Sequence, residues 1–455
     1  MTVHENLLEL IGNTPMVEIK RLDAGPCRLF VKLESQNPGG SIKDRIAMYM
    51  IEAAEREGKI RPGGTVVEAT AGNTGLGLAL VAIQKGYQVL MVIPDKMSLE
   101  KIYHLKAMGV EVVITRSDVG KGHPEYYQDL AQRLASEQDN AFYINQFANS
   151  TNPLAHEQTT APEVWEQMDH DLDAVVCGVG TCGTLTGMGR FFKRVAPQVE
   201  MVLADPEGSV LTDFIDTGEL KEAGSWLVEG IGEDFVPPIC DLSLVGRAYT
   251  VSDAEAFSTA RELLRKEGVF GGSSTGCLVA AALHYCRDQT EAKRVVTLVP
   301  DSGNKYLSKM YDDFWMIDQG FLQRETFNDL RDLISRRHLD HATIVIGPDE
   351  PLLSAYKRMH MYSVSQLPVM EDDRIVGIID ESDLLLAVYD HQDRFQDPVS
   401  AAMVTRLEVI EPDAGIKDLL PIFAKDHVAI VMDDERFLGL ITRSDLLNFL
   451  RRKVK

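Results

Sequence analysis

The chain has 455 residues, and its 46 lysines and arginines are outnumbered by 69 aspartates and glutamates, which leaves a formal net charge of −23. This length predicts about three domains, and such an acidic chain is a poor partner for nucleic acid or an anionic membrane. No apolar run reaches the length of a membrane span. The first residues lack the basic segment and apolar core of a signal peptide, so we expect a cytoplasmic protein. The six cysteines and eleven histidines lack metal-ligand spacing, so we expect no metal site and mostly reduced, buried cysteines.

Lys43 lies between a turn and a helix. Residues 37–40 contain a proline and two glycines, Ser41 is a predicted N-cap, and apolar residues at helical spacing follow. The positive end of a helix dipole disfavours a cation, but by only about 1 kcal/mol. Burial can lower the pKa of a lysine by roughly 3–5 units. A reactive Lys43 therefore needs a pocket or a covalent partner such as an aldehyde, and the alternative is an exposed lysine at a helix start.

The first of three glycine-rich turns lies in a predicted βαβ unit. Residues 65–70 form a strand, 71–75 a turn, 76–82 a helix and 88–93 a second strand. A polar turn at a helix N-terminus offers free backbone amides to an anion, and Asn73 adds an amide that both donates and accepts.

The second turn, residues 178–184, follows a predicted strand at 173–177 and opens a helix at 185–195. Its glycines and threonine hydroxyls are typical of a phosphate cradle, but no Lys-Ser or Lys-Thr follows, so it is not a Walker A loop. A tight turn without a ligand is the alternative.

The third turn, residues 271–276, opens an apolar helix at 277–283, and a strand is predicted at 295–300. Ser273 either faces a ligand or caps the helix. Strand-end turns of an open α/β sheet lie close together. The cofactor that needs both a phosphate cradle and a lysine amine is pyridoxal phosphate.

Four motifs in this order resemble those of the fold-type II pyridoxal phosphate enzymes of β-replacement, which include the cysteine synthases and the cystathionine β-synthases. The motifs are Ser41–Arg45, Ala71–Gly75, Gly180–Thr184 and Gly271–Ser274. The resemblance runs from about Glu5 to Tyr311. It implies an α/β core of two open twisted sheets flanked by helices.

The same resemblance implies roles for individual residues. Lys43 would form the Schiff base, Asn73 would bond the phenolic oxygen of the cofactor, and Ser273 would meet the pyridine nitrogen. The phosphate would be held by Gly180, Thr181, Cys182, Gly183 and Thr184. Substrate binding would fall to Thr70, Ala71, Gly72, Asn73, Thr74, Gln146, Gly230, Ile231 and Gly232.

Cys182 departs from the family pattern, which has glycine at this third position of the phosphate loop. A Cβ disfavours a positive φ, so either the position does not need that conformation or the loop is altered. We expect the cofactor to bind and Cys182 to be a small packing residue.

The residues also indicate a reaction type. The amine of Lys43 would remove and return the Cα proton. A serine at the pyridine nitrogen leaves the ring neutral, a weaker electron sink that suits prompt loss of a β-leaving group. The resulting aminoacrylate would be attacked by a thiol, which favours β-replacement over transamination.

Two segments, 152–156 and 229–235, resemble the cystathionine β-synthases more than the cysteine synthases. Glu229 stands where cysteine synthases usually carry glutamine, and Glu233 stands where the animal β-synthases usually carry an aromatic residue. The alternative is that both acids are solvated residues beside a loop.

The C-terminal region contains an internal repeat. Residues 369–385 match residues 431–447 at an offset of 62, which marks two copies of one small α+β module. The two copies resemble paired CBS modules, which sense adenosine-containing ligands. The predicted domains are a catalytic core at 1–315, a linker helix at 316–335, and modules at 336–395 and 396–455.

The ribose-binding signature of these modules is matched in the second copy by Thr442 and Asp445. The first copy keeps Asp383 but has Asp380 where a hydroxyl is usual, and an acid there would repel a phosphate. The second copy therefore supplies the better candidate site, for S-adenosylmethionine or an adenine nucleotide. The alternative is that neither site is occupied and the pair only dimerises.

A catalytic core followed by such a pair is the arrangement of the cystathionine β-synthases, which implies condensation of L-serine with L-homocysteine in transsulfuration. We expect no haem and a homodimer or larger homo-oligomer. One alternative is a cysteine synthase that uses O-acetylserine and sulfide and carries a regulatory tail. Another is a nucleotide-sensing protein without catalysis, against which the presence of Lys43, Asn73 and Ser273 argues.

Overall fold

The computed structural model describes residues 3–70, 72–95, 99–120 and 122–452. The chain divides into two compact units, Met1–Tyr311 and Asp312–Lys455. The predicted fold class is confirmed, since the first unit has two open sheets flanked by helices and the second has a pair of small α+β modules.

The first unit alternates strands and helices. Its strands are β1 (Met16–Ile19), β2 (Arg28–Lys32), β3 (Thr65–Glu68), β4 (Gln88–Pro94), β5 (Glu111–Thr115), β6 (Ala141–Tyr143), β7 (Ala174–Gly178), β8 (Glu200–Pro206), β9 (Arg247–Val251) and β10 (Arg294–Leu298). Its α-helices are α1 (Lys43–Arg56), α2 (Asn73–Lys85), α3 (Leu99–Ala107), α4 (Tyr127–Ser136), α5 (Thr151–Ala155), α6 (Ala161–Gln167), α7 (Gly183–Val195), α8 (Leu211–Thr217), α9 (Asp253–Glu267) and α10 (Ser273–Arg287). A π-helical turn at His156–Thr160 joins α5 to α6.

Both sheets are mainly parallel. The larger has the order β1-β2-β10-β7-β8-β9, in which only β1 is antiparallel to its neighbour. The smaller has the order β5-β4-β3-β6 and is parallel throughout. Strands covered by helices on both faces are apolar along their length, as the buried residues of β4 and β7 illustrate.

The polar turns lie where the strands end. The chain passes from β3 into α2 and from β7 into α7 through the first two glycine-rich turns, and α10 follows the third. Ligands of open α/β sheets bind at the carboxyl ends of the strands. This placement brings the three turns toward one cleft.

The predicted helix starts are late by two to four residues. The helices begin at Asn73, Gly183 and Ser273, because glycines in each turn let the chain enter helical conformation before the apolar run begins. The cap of α1 is Ile42 and not Ser41, although the Ser41 hydroxyl accepts a hydrogen bond from the Lys43 amide at 3.3 Å.

The second unit repeats one small fold. Its strands are β11 (Gln366–Glu371), β12 (Arg374–Asp380), β13 (Val409–Ile410), β14 (Ala429–Asp433) and β15 (Arg436–Ile441), and its helices are α11 (Asp313–Asp318), α12 (Leu352–Tyr362), α13 (Glu381–Val388), α14 (Leu420–Phe423) and α15 (Arg443–Arg452). The hairpins β11–β12 and β14–β15 have the same register shift, after Val369 and after Val431. The repeat offset of 62 residues is thus present in the backbone as well as in the sequence.

The predicted linker helix at 316–335 is wrong. Only Asp313–Asp318 is α-helical there, and the remainder contains a 3₁₀ turn at Leu330–Leu333. Leu330, Leu333 and Ile334 are buried in the same cluster as Leu419 and Val431 of the second module. Burial of these three side chains overrides the helical tendency of the polar residues around them.

This packing predicts how the chain can be cut. A chain that ends at Tyr311 is expected to fold alone with a cooperative thermal transition, because it keeps the whole first unit. Removal of residues 336–455 leaves Leu330, Leu333 and Ile334 without their cluster, and exposed apolar surface promotes association. Light scattering and thermal unfolding of the two truncated chains check this. An aggregated chain 1–311 beside a monodisperse chain 1–335 contradicts it.

Within the described residues, no helix combines the length and the apolarity needed to cross a bilayer. The same residues contain no group of three or more metal-binding side chains.

Candidate active site

Lys43 is the first residue of α1 and is held from both sides. The preceding loop is hydrogen-bonded to the segment after β10. The Ile42 amide donates to the Pro300 carbonyl at 2.8 Å, and the Ser302 amide donates to the Gly40 carbonyl at 3.2 Å. Helix α2 approaches closely, since a Cβ on Gly77 would stand 3.0 Å from the Lys43 carbonyl oxygen. The backbone of Lys43 is therefore rigidly positioned at the wall of a cavity.

The electrostatics of Lys43 fit a reactive amine. Burial lowers its pKa to about 8, while the nearby carboxyls of Glu233 and Asp301 oppose that shift. At neutral pH about one amine in ten is then uncharged, compared with fewer than one in a thousand for an ordinary lysine. The exposed-lysine alternative is wrong, because the side chain is half-buried.

Glu233 is one of the two acids whose charge acts on this amine. Burial raises the pKa of Glu233 to about 8, the neighbouring Asp234 and Asp205 shift it the same way, and Lys43 opposes them. Its backbone amide donates to the Ser209 hydroxyl at 3.1 Å. Glu233 is not a solvated loop residue, and it shares protons with Lys43 over the same pH range.

The loop Gly180–Thr184 wraps around the start of α7. A Cβ on Gly183 would stand 1.9 Å from the Asn152 Oδ1, and a Cβ on Gly180 would stand 2.5 Å from the Gly230 carbonyl oxygen. Glycine at both positions permits the close approach of backbone that an anion cradle requires. The first amides of an α-helix have no intrahelical partner, and Gly183 and Thr184 at the start of the 13-residue helix α7 line the cavity.

Two buried polar residues support this loop from behind. Asn152 donates to the Thr181 hydroxyl at 2.9 Å, and the His156 Nε2 lies 3.3 Å from the Thr184 hydroxyl oxygen. Burial holds the pKa of His156 well below its usual range, so the ring is neutral. Both threonine hydroxyls are thus held in place beside the helix N-terminus.

Cys182 keeps the left-handed backbone of the glycine it replaces, with φ +71°. The position does need that conformation. The expectation of a packing residue is wrong, because Cys182 forms a disulfide with Cys240, with a Cα–Cα distance of 5.0 Å. The other four cysteines are free thiols.

Asn73 begins α2 and is fixed by a chain of hydrogen bonds. Its Oδ1 accepts from the Lys305 ammonium at 2.5 Å, and its Nδ2 donates to Asp301 at 2.9 Å. Tyr306 donates to the same Asp301 oxygen at 2.9 Å. The cation and the carboxylate fix which end of the Asn73 amide is the donor.

Ser273 begins α10 and is buried. Its hydroxyl accepts a hydrogen bond from the Glu229 amide at 2.9 Å, so its role is not that of a helix cap. The Glu229 carboxylate is paired with Lys101 and with Lys309, the latter at 2.5 Å. Two lysines therefore lie beside the segment that borders the cavity.

One cavity brings together most of the predicted cofactor residues. Its lining includes Lys43, Asn73, Gly180, Thr181, Cys182, Gly183, Thr184, Gly230 and Ile231. Ser273 touches it through Glu229. Thr70, Gly72, Thr74, Gln146 and Gly232 do not line it, although the Thr74 hydroxyl donates to the buried Gln146 at 2.6 Å. Ala71 lies outside the described residues.

Sequence reasoning missed several residues of the site: Asn152, His156, Asp301 and Lys305. Asn152 and His156 lie in the segment 152–156 that was singled out above, but their side chains were not assigned to the site, and Asp301 and Lys305 were not singled out. The π-helical turn that begins at His156 is a feature often found at functional sites, and only the structure reveals it.

The residues present fit pyridoxal phosphate. A half-buried amine with a lowered pKa stands in the same cavity as a glycine-threonine loop at a helix N-terminus. The buried Asn152 Oδ1 has no protein partner among the described residues, and it lies at the base of that loop. An amine for an aldehyde and a cradle for a phosphate are the two features that this cofactor requires.

The second unit has a cavity of about 300 Å³ beside Thr442 and Asp445. The Asp445 carboxylate accepts hydrogen bonds from the Thr442 amide and hydroxyl, both at 2.7 Å, and from the Ser335 hydroxyl. The cavity near Asp380 and Asp383 is smaller, at about 190 Å³.

In that smaller cavity the two acids cap each other across the start of α13. Burial raises the pKa of Asp383. The backbone amide of Asp380 lowers that pKa, whereas the charge of the Asp380 carboxylate raises it. The lining of this cavity also contains two further acids, Glu408 and Asp426, and two basic residues, Arg406 and His427.

Comparison with known proteins agrees with this geometry. Residues 7–301 match the family model described as pyridoxal-phosphate dependent enzyme, and residues 330–390 and 399–452 match the CBS domain. The cystathionine beta-synthase of Apis mellifera is 35% identical over 98% of this chain and 91% of the bee protein. The chain belongs to the cystathionine β-synthase family.

Other members of the cystathionine β-synthase family are similarly related. The enzyme of Oryctolagus cuniculus is 35% identical over 98% of this chain and 84% of its own length. Among solved structures, a hydrogen sulfide-producing enzyme from Fusobacterium nucleatum is 37% identical with a TM-score of 0.62, over 67% of this chain and 100% of that one. This member of the cystathionine β-synthase family is a pyridoxal-phosphate-dependent enzyme of the β-replacement type.

Proposed function

We propose that this enzyme condenses L-serine with L-homocysteine to cystathionine and water. The observation that carries the proposal is the Lys43 amine, with a pKa of about 8, in one cavity with the Gly180–Thr184 loop. Similarity to cystathionine beta-synthases over nearly the whole chain supports it.

In this proposal each residue has a defined task. Bound pyridoxal phosphate supplies an electron sink that acidifies the substrate Cα. The Lys43 amine would hold the Cα proton and return it to the same carbon. The amides of the Gly180–Thr184 loop would hold the phosphate, and Asn73, oriented by Lys305 and Asp301, would hold the phenolic oxygen. Ser273, whose hydroxyl accepts a hydrogen bond from the Glu229 amide, would lie at the ring nitrogen and leave it uncharged.

The substrate carboxylate would lie at the turn 70–74, where the Thr74 hydroxyl is tied to Gln146. Because Gln146 also accepts at its carbonyl from Asn152, at 2.9 Å, the turn and the phosphate loop share one buried hydrogen-bond network. Movement of either would disturb the other.

Steady-state kinetics with two substrate pairs test the proposal. Serine plus homocysteine should give cystathionine with the higher kcat/KM, and O-acetylserine plus sulfide is the competing pair of a cysteine synthase. Faster cysteine formation overturns the proposal in favour of a cysteine synthase with a regulatory tail. Absence of turnover with both pairs leaves a protein that only senses ligands.

We also propose that an adenosine-containing ligand binds beside Thr442 and Asp445. The larger cavity and the hydrogen-bonded carboxylate of Asp445 support this site. At the smaller cavity, Asp380 and Asp383, which hydrogen-bond to each other's backbone amides, disfavour a phosphate.

Titration calorimetry with S-adenosylmethionine and with AMP should find one site per chain. Replacement of Asp445 by asparagine should weaken binding by roughly tenfold or more, since a hydrogen bond to a charged group contributes about 1.5–3 kcal/mol. The matched variant Asp383→Asn should bind as the parent does. The reverse pattern, or absence of binding by the parent, contradicts the assignment.

The remaining expectations are part of the same proposal: a cytoplasmic homodimer or larger oligomer without haem. Light scattering of the purified chain tests the assembly, and its visible spectrum tests for haem. A haem band in protein purified from haem-supplemented cells contradicts the second expectation.

A further inference from the structure

The disulfide between Cys182 and Cys240 is the feature that the proposed function leaves unused. It joins the third residue of the phosphate loop to a segment 58 residues further along the chain. Cys182 is 2% exposed and lines the Lys43 cavity, whereas Cys240 is half-buried. A covalent bond therefore reaches directly into the cofactor cradle.

The backbone of Cys182 makes the bond consequential. Its φ of +71° is a left-handed conformation that glycine adopts freely and that a residue with a Cβ resists. The disulfide anchors Cys182 to Cys240. When the bond opens, nothing covalent opposes the tendency of Cys182 to leave this conformation.

Thr186, one turn into α7, holds the same segment without a covalent bond. Its hydroxyl donates to the Ile239 carbonyl at 3.1 Å and accepts from the Asp241 amide at 3.0 Å. Its backbone amide donates to the Cys182 carbonyl at 3.0 Å. These bonds keep Cys240 close to Cys182 after the disulfide opens, so the bond can close again.

We propose that the Cys182–Cys240 disulfide is a thiol-sensitive clamp on the phosphate loop, opened by small aliphatic thiols. The clamp rests on the proposed function only in that the loop holds the cofactor phosphate. Closed, it keeps the loop in its anion-binding shape. Open, it weakens that binding.

The exchange proceeds in two balanced steps. A thiolate attacks the Sγ of Cys240, the more exposed of the two residues, to form a mixed disulfide and release Cys182 as a thiolate. The N-terminus of α7 stabilises that leaving group. A second thiol then releases Cys240 as a thiol together with a small-molecule disulfide, so two small thiols are oxidised while one protein disulfide is reduced. The small-molecule disulfide closes the clamp by the reverse steps.

The open state opposes the cofactor electrostatically. A Cys182 thiolate at the helix N-terminus occupies the positive end of the dipole that the phosphate would use. Neighbouring anions repel each other. Opening the clamp should therefore weaken pyridoxal phosphate binding by roughly tenfold.

Counting thiols tests the clamp without reference to activity. Protein purified without reductant, unfolded and alkylated, should yield four modified cysteines and a linked peptide pair containing Cys182 and Cys240. Titration with mixtures of homocysteine and homocystine should expose these two thiols together, while equilibrium dialysis of pyridoxal phosphate follows the loss of affinity. Six free thiols in the purified protein, or equal affinity of the open and closed forms, overturns the proposal.

Variants separate the bond from other thiol effects. Cys240→Ser should bind the cofactor weakly with or without homocysteine, and the double variant Cys182→Gly, Cys240→Ser should bind tightly and be insensitive to thiols. The control Cys27→Ser, which removes a half-buried free thiol, should respond as the parent does. A thiol response in Cys240→Ser overturns the clamp. Because these readouts need no second substrate, the clamp can stand if cystathionine formation fails.

Discussion

Replacement of Lys43 by alanine is expected to lower turnover by about a thousandfold or more and to abolish the visible absorbance that pyridoxal phosphate acquires on covalent attachment. The amine is both the point of attachment and the base for the Cα proton, and it is the lysine that lines the cavity among the described residues. Steady-state assays and absorbance spectra of the purified variant check this.

Three comparisons make the result interpretable. Lys43→Arg keeps the positive charge but not an amine that loses its proton, so it should be equally inactive. Lys59→Ala removes an exposed lysine three residues beyond the end of α1 and should leave turnover unchanged. Thermal unfolding of the three variants without cofactor shows whether the fold is intact. Retained turnover in a folded Lys43→Ala protein would remove Lys43 from the reaction.

The sequence predicts the architecture of the core because its signals are local. Apolar strands followed by glycine-rich polar turns and helices define βαβ units, and the right-handed crossover rule leaves few ways to arrange them. The C-terminal repeat is equally local, and the shared register shift after Val369 and Val431 shows that the two copies fold alike.

The prediction of a linker helix failed for a physical reason. A polar run favours a helix by propensity, which is a weak tendency that tertiary packing overrides. Leu330, Leu333 and Ile334 gain more by burial in the second module than a short solvated helix would gain. Which module they join depends on contacts across about 100 residues of sequence, and no local pattern encodes that.

The residues of the site likewise divide into those that a local motif predicts and those that only long-range packing brings together. Lys43, Asn73 and the Gly180–Thr184 loop can be found from motifs, because each lies in its own turn. Lys305 and Asp301 act on Asn73 from over 200 residues away. Cys182 was recognised as a departure, but its partner Cys240 becomes visible only when α7 and the following segments are packed.

Covalent capture of pyridoxal phosphate by the apoenzyme is expected to accelerate as the pH rises and to level off above about pH 8. Only the uncharged Lys43 amine can attack an aldehyde, and burial lowers its pKa to about 8. Below that pH the uncharged fraction changes about tenfold per pH unit. Stopped-flow absorbance between pH 6 and pH 9.5 measures the profile, and a rate that still climbs tenfold per unit above pH 9 contradicts the lowered pKa.

Glu233 decides where that profile lies. Its carboxylate raises the pKa of Lys43, so Glu233→Gln should move the midpoint of the capture profile to lower pH.

The folded-state pKa of Glu233, about 8, lies above its unfolded value. The folded protein therefore binds the extra proton, and stability falls as the pH rises toward 8. Glu233→Gln should remove part of that loss, so its melting temperature at pH 9 should exceed that of the parent. The exposed Glu219 provides the control Glu219→Gln, which should change neither profile. An unmoved midpoint in a folded Glu233→Gln protein would mean that the two groups do not share protons.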